Sequence, residues 1–375
     1  MRVLFLSQQK PSDTNRPTKQ RCQHPAEWLT SVGVESEVRW LYSRQTNLSA
    51  DIIILSRAVL DNYTNRLIKR AKAKGSIIAY EIDDLLFEEM SSEYLLKIGR
   101  EAHAKQVKAR QDAIAACDCV IVSTTYLANV VKKHSKEVWV QKNGLSKKFL
   151  QAANQAYLDR QDKHTLTLGY FSGSSTHDHD FSQISDILVK VMQKHSHVRL
   201  LIMGALKVPS ILLELGKRVE IRNYVPHSHL PHEIAKVDIN LVPLEIDDSF
   251  CQAKSELKYY EAGACGVPTL ATATSAYAEA IKHGVNGFLA SMPEQWESTL
   301  ESVITQPQLL REVGVRARAD VIQKYSPETR AREWQATIAQ IKEKYSPISH
   351  IRKQFIKALL LELIERTATL KDFLK

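Results

Sequence analysis

The 375-residue chain has no apolar run approaching the roughly 20 residues that a membrane-spanning helix needs. Its first apolar run, Val3–Leu6, is too short for a secretory signal and reads as a first strand. A cytoplasmic protein is expected, soluble or lying on a membrane surface. Cysteine is scarce. Cys22, Cys117, Cys119, Cys251 and Cys265 are odd in number and form no disulfide or zinc spacing, which fits a reducing compartment. Also absent are a Walker loop, a GxGxxG turn, a GxSxG elbow and an HExxH pair, so the common signatures of phosphate-loop, dinucleotide, hydrolase and zinc-protease chemistry are missing. No repeat of solenoid length is visible. Two histidine clusters occur, His177/His179 alternating with Asp178/Asp180, and His227/His229/His232. Neither has a cysteine or carboxylate set that completes a metal site, so capping and solvated-loop roles are expected and no metal is.

What is present suits two globular α/β domains, because 375 residues exceed one ordinary core. The formal charge is +9, and it is uneven. Residues 1–160 hold 25 Lys+Arg against 17 Asp+Glu, so +8 of the excess lies in the first half. The run Arg66, Lys69, Arg70, Lys72, Lys74 is one dense patch, readable as a solvated helix face or as a surface for anionic lipid or phosphorylated ligands. It lacks the interleaved aromatics that single-stranded nucleic acid favours, so no nucleic-acid partner is expected.

Short β-branched runs alternate with helical patterns, which predicts parallel sheets with crossover helices. Strands are expected at Val3–Leu6, Val34–Trp40, Asp51–Leu55, Ser76–Ile82, Cys119–Ser123 and Val138–Gln141. A second series is expected at Leu166–Phe171, Arg199–Met203, Val219–Arg222, Ile239–Val242, Thr269–Ala271 and Gly287–Ala290. Early helices are expected over 19–32, 57–74, 95–116 and 125–134. The polar stretch Asn143–Thr165 reads as the linker. This divides the chain into a first doubly wound domain, 1–160, and a second, 161–325, with a cleft between them. The ending reads helical over 293–305, 307–324 and 328–344. A last amphipathic segment, 348–374, carries net +3 together with Lys375, and helices from about 326 to 375 are expected to pack back on the first domain.

Three stretches carry chemistry. Read as a helix from about Lys254 to Ala264, AKSELKYYEAGACGVP places Lys254, Lys258 and Glu261 on one face. That stripe follows a strand and a loop, where doubly wound folds bind ligands. Cations there suit a phosphate, and the carboxylate suits a ribose diol. The same stripe also reads as a salt-bridged surface. In GYFSGSSTHDHD, a strand enters a small-residue loop whose Gly173, Ser174, Ser175 and Thr176 can present amides and hydroxyls to a phosphate, before a helix capped by Asp178 or Asp180. In YEIDDLLF, Glu81, Asp83 and Asp84 follow a strand, placed to orient hydroxyls or take a proton, or else to cap a helix.

With these stretches in hand, the chain resembles bacterial glycosyltransferases of family 4, the retaining type with the two-domain GT-B fold, in its surface-polysaccharide branch. The likeness spans about residues 1–345. LGYFSGSSTHDHDF, NYVPHSHLPHEIAKVDINLVPL, AKSELKYYEAGACGVPTLAT and HGVNGFLA carry it in the second half, and IIAYEIDDLLF, VIVSTTYLANVV and QKNGLS in the first. The resemblance implies that Glu261 binds the donor ribose and that Lys254, with amides near Ser255, binds the diphosphate. It places Gly173 and Ser174 in the phosphate loop, Tyr224 and Val225 near the base, and Asp83 and Asp84 toward the acceptor cleft. Two positions depart from the pattern. Ala253 stands where the family often has a first glutamate. The arginine expected near the first loop is replaced by THDHD, where His177 is the substitute.

The implied activity is retaining, metal-independent transfer of a sugar from a nucleotide-sugar to a saccharide or lipid-linked saccharide, in surface-polysaccharide or lipopolysaccharide synthesis. Lys254 would stabilise the departing diphosphate. The basic first half and the final segment would hold the enzyme on an anionic inner leaflet. Two alternatives are a nucleotide-sugar epimerase or phosphorylase on the same fold, and a non-catalytic subunit that recruits a true transferase.

Overall fold

The computed structural model describes residues 1–12, 15–43, 48–89, 96, 101–135, 137–161, 165–173 and 178–345. Its frame is two six-stranded parallel sheets. Parallel strands covered on both faces read as continuous apolar runs rather than as alternation. Accordingly IIILS of β3 (Ile52–Ser56) and IIAYEI of β4 (Ile77–Ile82) are buried throughout. The first sheet runs β2 (Glu35–Trp40), β1 (Arg2–Ser7), β3, β4, β5 (Cys119–Val122), β6 (Val138–Val140). The second runs β12 (Phe288–Ala290), β11 (Thr269–Thr272), β10 (Ile239–Val242), β7 (Leu166–Ser172), β8 (Val198–Gly204), β9 (Val219–Arg222). All twelve expected strands are present, within a residue or two.

Each sheet reverses its winding once, between β1 and β3 in the first and between β7 and β10 in the second. The crevice at such a reversal is where open α/β sheets take ligands. The helix Pro327–Tyr345 returns to the first sheet and buries Ala331, Trp334, Ile338 and Ile341 among Val3, Phe5 and Ile52. The Trp334 ring meets Phe5 edge-on at 5.9 Å. The crossing expected of the C-terminal helices is thus seen as far as Tyr345, and the segment 348–375 lies outside the described residues. No helix among the described residues is long and apolar enough to cross a membrane.

Two expectations are corrected. The polar linker contains a helix, Lys147–Leu158, capped by Ser146, whose Oγ accepts from Phe149 N at 3.1 Å. Phe149, Ala153 and Ala156 are buried, with Phe149 and Ala153 in the core of the second domain. Their i, i+4, i+7 spacing was a legible helical stripe inside a stretch rich in Gln, Asn and Lys. Near the start, the expected helix 19–32 begins earlier. Arg16–Thr18 leads into a π-helical turn, Lys19–Gln23, and then His24–Ser31. The π turn widens the coil, a feature common beside functional sites. It turns Gln20, Arg21 and Cys22 into the protein.

Candidate donor site at the second switch point

A cavity of about 30 Å³ sits at the carboxyl end of β7, lined by Phe171, Ser172, Gly173, Met203, Tyr224, Val225, Leu230, Lys258 and Glu261, and by Arg16 of the first domain. Space for about one water at this size means that a larger ligand enters only as the walls part. The site thus brings together Gly173, Tyr224, Val225, Lys258 and Glu261 of the residues singled out from sequence. Ser174, Ser175 and His177 lie outside the described residues.

Glu261, on the helix Leu257–Ala264, is buried, and its Oε1 accepts from His227 Nε2 at 2.7 Å. Burial alone would push this carboxyl up, but the charge and hydrogen bond of His227 outweigh it and hold it below the usual range. Oε2 has no partner among the described residues. The His227 ring lies 4.8 Å from that of Phe149, so the helix overlooked in the linker is what backs the histidine. Lys258 carries its Nζ 4.7 Å from the centroid of the Tyr170 ring and has no ion-pair partner among the described residues. Burial lowers its pKa to about 8.

Lys254 departs from the expected stripe. The helix Ser249–Ala253, capped by Asp248, ends before it, Lys254 is extended (φ −63°, ψ 136°), and the next helix begins only at Leu257. Lys254 therefore does not share a helix face with Lys258 and Glu261, and it does not line the cavity. Its Nζ donates to Asp180 Oδ2 at 3.1 Å. Burial works against its charge, but Asp180 outweighs burial and raises its pKa. Asp180, read from sequence as a cap, is a buried counterion instead. Ser255 Oγ accepts from Asn143 Nδ2 at 2.9 Å, tying this break to the strap between the domains.

In the first domain, Glu81 lies within β4 and only Asp83 and Asp84 follow it; among the described residues none caps a helix, and two arginines hold them. Arg57 takes a left-handed backbone, φ 54°, uncommon for a residue with a side chain. That turn aims its guanidinium between Asp83 Oδ1 at 2.6 Å and Asp84 Oδ2 at 2.7 Å. Burial, against the pull of Arg57, raises the Asp83 pKa. Glu81 is fully buried on Arg21 Nε at 2.5 Å and cannot meet a substrate hydroxyl as placed. Asp83 and Asp84, at 12% and 23% side-chain exposure, keep some access to solvent.

Ala253, the position of the family's first glutamate, is 1% exposed and packs with Phe250 into the core of the first domain. Its carbonyl accepts from Thr124 Oγ1 at 3.5 Å. Position 253 is therefore an apolar contact between domains, not a wall of the cavity. Ala253→Glu is expected to cost about 3–5 kcal/mol, the range for an uncompensated buried charge, read as a lower Tm. A variant with the wild-type Tm would show the contact to be loose. Among the described residues, no three His, Cys, Asp or Glu side chains gather as metal ligands. His179 pairs with Glu245 at 2.7 Å, and His229 and His232 are exposed.

Residues 167–306, which hold this site, match the family model described as glycosyl transferases group 1. The protein is a glycosyltransferase with the GT-B fold. Solved GT-B structures resemble the chain over both domains. HepE of Anabaena, crystallised with UDP, is 16% identical with a TM-score of 0.63, and the match covers 91% of this chain and 100% of that one. A glycosyltransferase of Rickettsia africae is 13% identical with a TM-score of 0.62, covering 92% and 98%. WaaG, a glycosyltransferase involved in lipopolysaccharide biosynthesis, is 15% identical with a TM-score of 0.59, covering 88% and 99%. At these identities the likeness is one of fold. A comparison with curated protein sequences finds no match. In this glycosyltransferase, Arg16, Arg21, Arg57, Asp180 and His227 are the site residues that sequence reasoning passed over or read differently. The residues they face lie elsewhere along the chain, and only the topology brings them together.

Proposed function

We propose that this glycosyltransferase binds a nucleotide-sugar in its second domain and passes the sugar to a saccharide or lipid-linked saccharide entering from the first. We assign it to the retaining family 4 and its surface-polysaccharide branch, working without a metal on the cytoplasmic face of the membrane, where the basic first half meets anionic lipid. The observation that carries the donor assignment is the pair Glu261 and Lys258 in one cavity at the switch point. The first has a free carboxylate oxygen for a ribose diol, the second an unpaired cation for a phosphate. HepE, alike in fold, has been crystallised with UDP-glucose.

In the transfer, the bond from the anomeric carbon to the diphosphate oxygen breaks and the diphosphate keeps the electron pair. The acceptor oxygen bonds to the same face of that carbon, and its proton passes to the diphosphate. The growing charge on the leaving oxygen is what cations must meet. Lys258 faces the cavity directly. Lys254 joins by exchanging Asp180 for a phosphate oxygen. Asp83 and Asp84, oriented by Arg57, face the acceptor side.

A thermal-shift screen against UDP, GDP, dTDP, CMP and ADP, with and without magnesium, tests this reading. One nucleotide at a hundredfold excess over its Kd should stabilise the protein by about 2.7 kcal/mol, equally without magnesium. The stabilisation should fade as pH rises through about 8, because Lys258 loses its proton there and the phosphate loses a cation. No shift with any nucleotide would overturn the donor assignment.

A further inference from the structure

The cations around the cleft sort into two groups. Lys254 has Asp180, Arg57 has Asp83 and Asp84, Arg21 has Glu81, and His227 has Glu261. Arg16 and Lys258 have no such partner among the described residues. Both line the cavity at the end of β7, and they come from different domains. The Arg16 Nε is buried with no hydrogen bond. Its Nη1 lies 3.3 Å from where a Cβ on Gly173 would stand, so the guanidinium rests against the exposed glycine that ends β7. A buried, unbonded guanidinium nitrogen costs free energy that an anion would return. Two unpaired cations converging on one cavity select an anionic ligand, and a guanidinium fork suits phosphate oxygens.

We propose that Arg16, reaching across from the first domain, is the phosphate-gripping arginine of the donor site. The second domain brings the nucleoside contacts, and the first brings this one charge. Donor binding and closure of the two domains are then one event, because the phosphates are held from both sides. Arg16 follows β1, at the switch point of the first sheet, so the carboxyl ends of the two sheets build one site between them. The proposal rests on the donor-site reading above.

The test is calorimetric titration of the nucleoside diphosphate chosen by the thermal screen, and of its monophosphate and nucleoside, into wild type, Arg16→Ala and Arg16→Lys. Small-angle scattering is recorded with and without saturating diphosphate. Arg16→Ala should bind the diphosphate about 30-fold more weakly and the nucleoside within about twofold of wild type. Arg16→Lys should fall between, keeping the charge but not the fork. The wild type should contract on binding the diphosphate, and saturated Arg16→Ala should not. Unchanged diphosphate affinity in Arg16→Ala, or an equal loss for nucleoside and diphosphate, overturns this proposal alone. Failure of the wild type to bind any of the ligands overturns the donor-site reading with it.

Discussion

Glu261→Ala is expected to weaken nucleoside diphosphate binding by about 100-fold or more and to lower kcat/KM with it. A carboxylate held below its usual pKa stays ionised, and each hydrogen bond to a charged group contributes about 1.5–3 kcal/mol. Two bonds from a ribose diol reach about 3–6 kcal/mol, and 1.4 kcal/mol is tenfold. The fold should tolerate the change, because Glu261 lies inside the helix Leu257–Ala264, where alanine is the best helix former. Glu261→Gln separates two causes. It keeps an acceptor oxygen and loses the charge, so its binding should fall between wild type and alanine. Were Glu261 only a counterion for His227, alanine would lower Tm and leave the nucleotide Kd in place. Isothermal titration beside a melting curve distinguishes the two.

How much of this was legible beforehand follows from how local each signal is. Strands β3 and β4 announce themselves because a strand covered on both faces is apolar along most of its length. The late helices Pro293–Thr305 and Pro307–Tyr325 carry prolines at their first turns, which mark their starts. Glu261 and Lys258 share one turned segment, so their common cavity could be read from spacing. Lys254 could not be placed so, because nothing local forbids a helix through Lys-Ser-Glu. The break there is held by contacts from distant elements. Asn143 reaches Ser255, and the Tyr325 hydroxyl donates to Glu256 Oε1 at 2.7 Å. The same limit hid the partners of Asp83 and Asp84. Their position at a strand end was visible, but the guanidinium between them comes from the end of a neighbouring strand. Arg16 gave no sign at all, since its role depends on how two domains face each other.

Arg21→Ala is expected to cost about 3–5 kcal/mol of stability, the range for stranding one partner of a buried ion pair. That is a large part of the 5–15 kcal/mol typical of a folded domain. Arg21 has no side chain exposed, its Nε donates to Glu81 Oε1 at 2.5 Å, and its Nη1 donates to the Gln141 carbonyl at 2.8 Å and to Asn143 Oδ1 at 2.9 Å. Glu81 completes its bonding with the Ser56 hydroxyl at 2.7 Å. Burial already raises the pKa of Glu81, and removing Arg21 takes away the main opposing charge. In the variant, folded Glu81 holds a proton that the unfolded chain releases above its ordinary pKa, near 4.5. The unfolded state then binds fewer protons, so stability falls as pH rises. The deficit against wild type should therefore be smaller at pH 5 than at pH 8, and chemical denaturation at both values checks it. Removing both charges, as Arg21→Met with Glu81→Leu, should recover most of the stability. It should not recover activity, because Asn143, which Arg21 grips on one side, grips Ser255 of the second domain on the other. A double variant as active as wild type would show that the pair serves only the core of the first domain, with no part in setting how the domains meet over the donor.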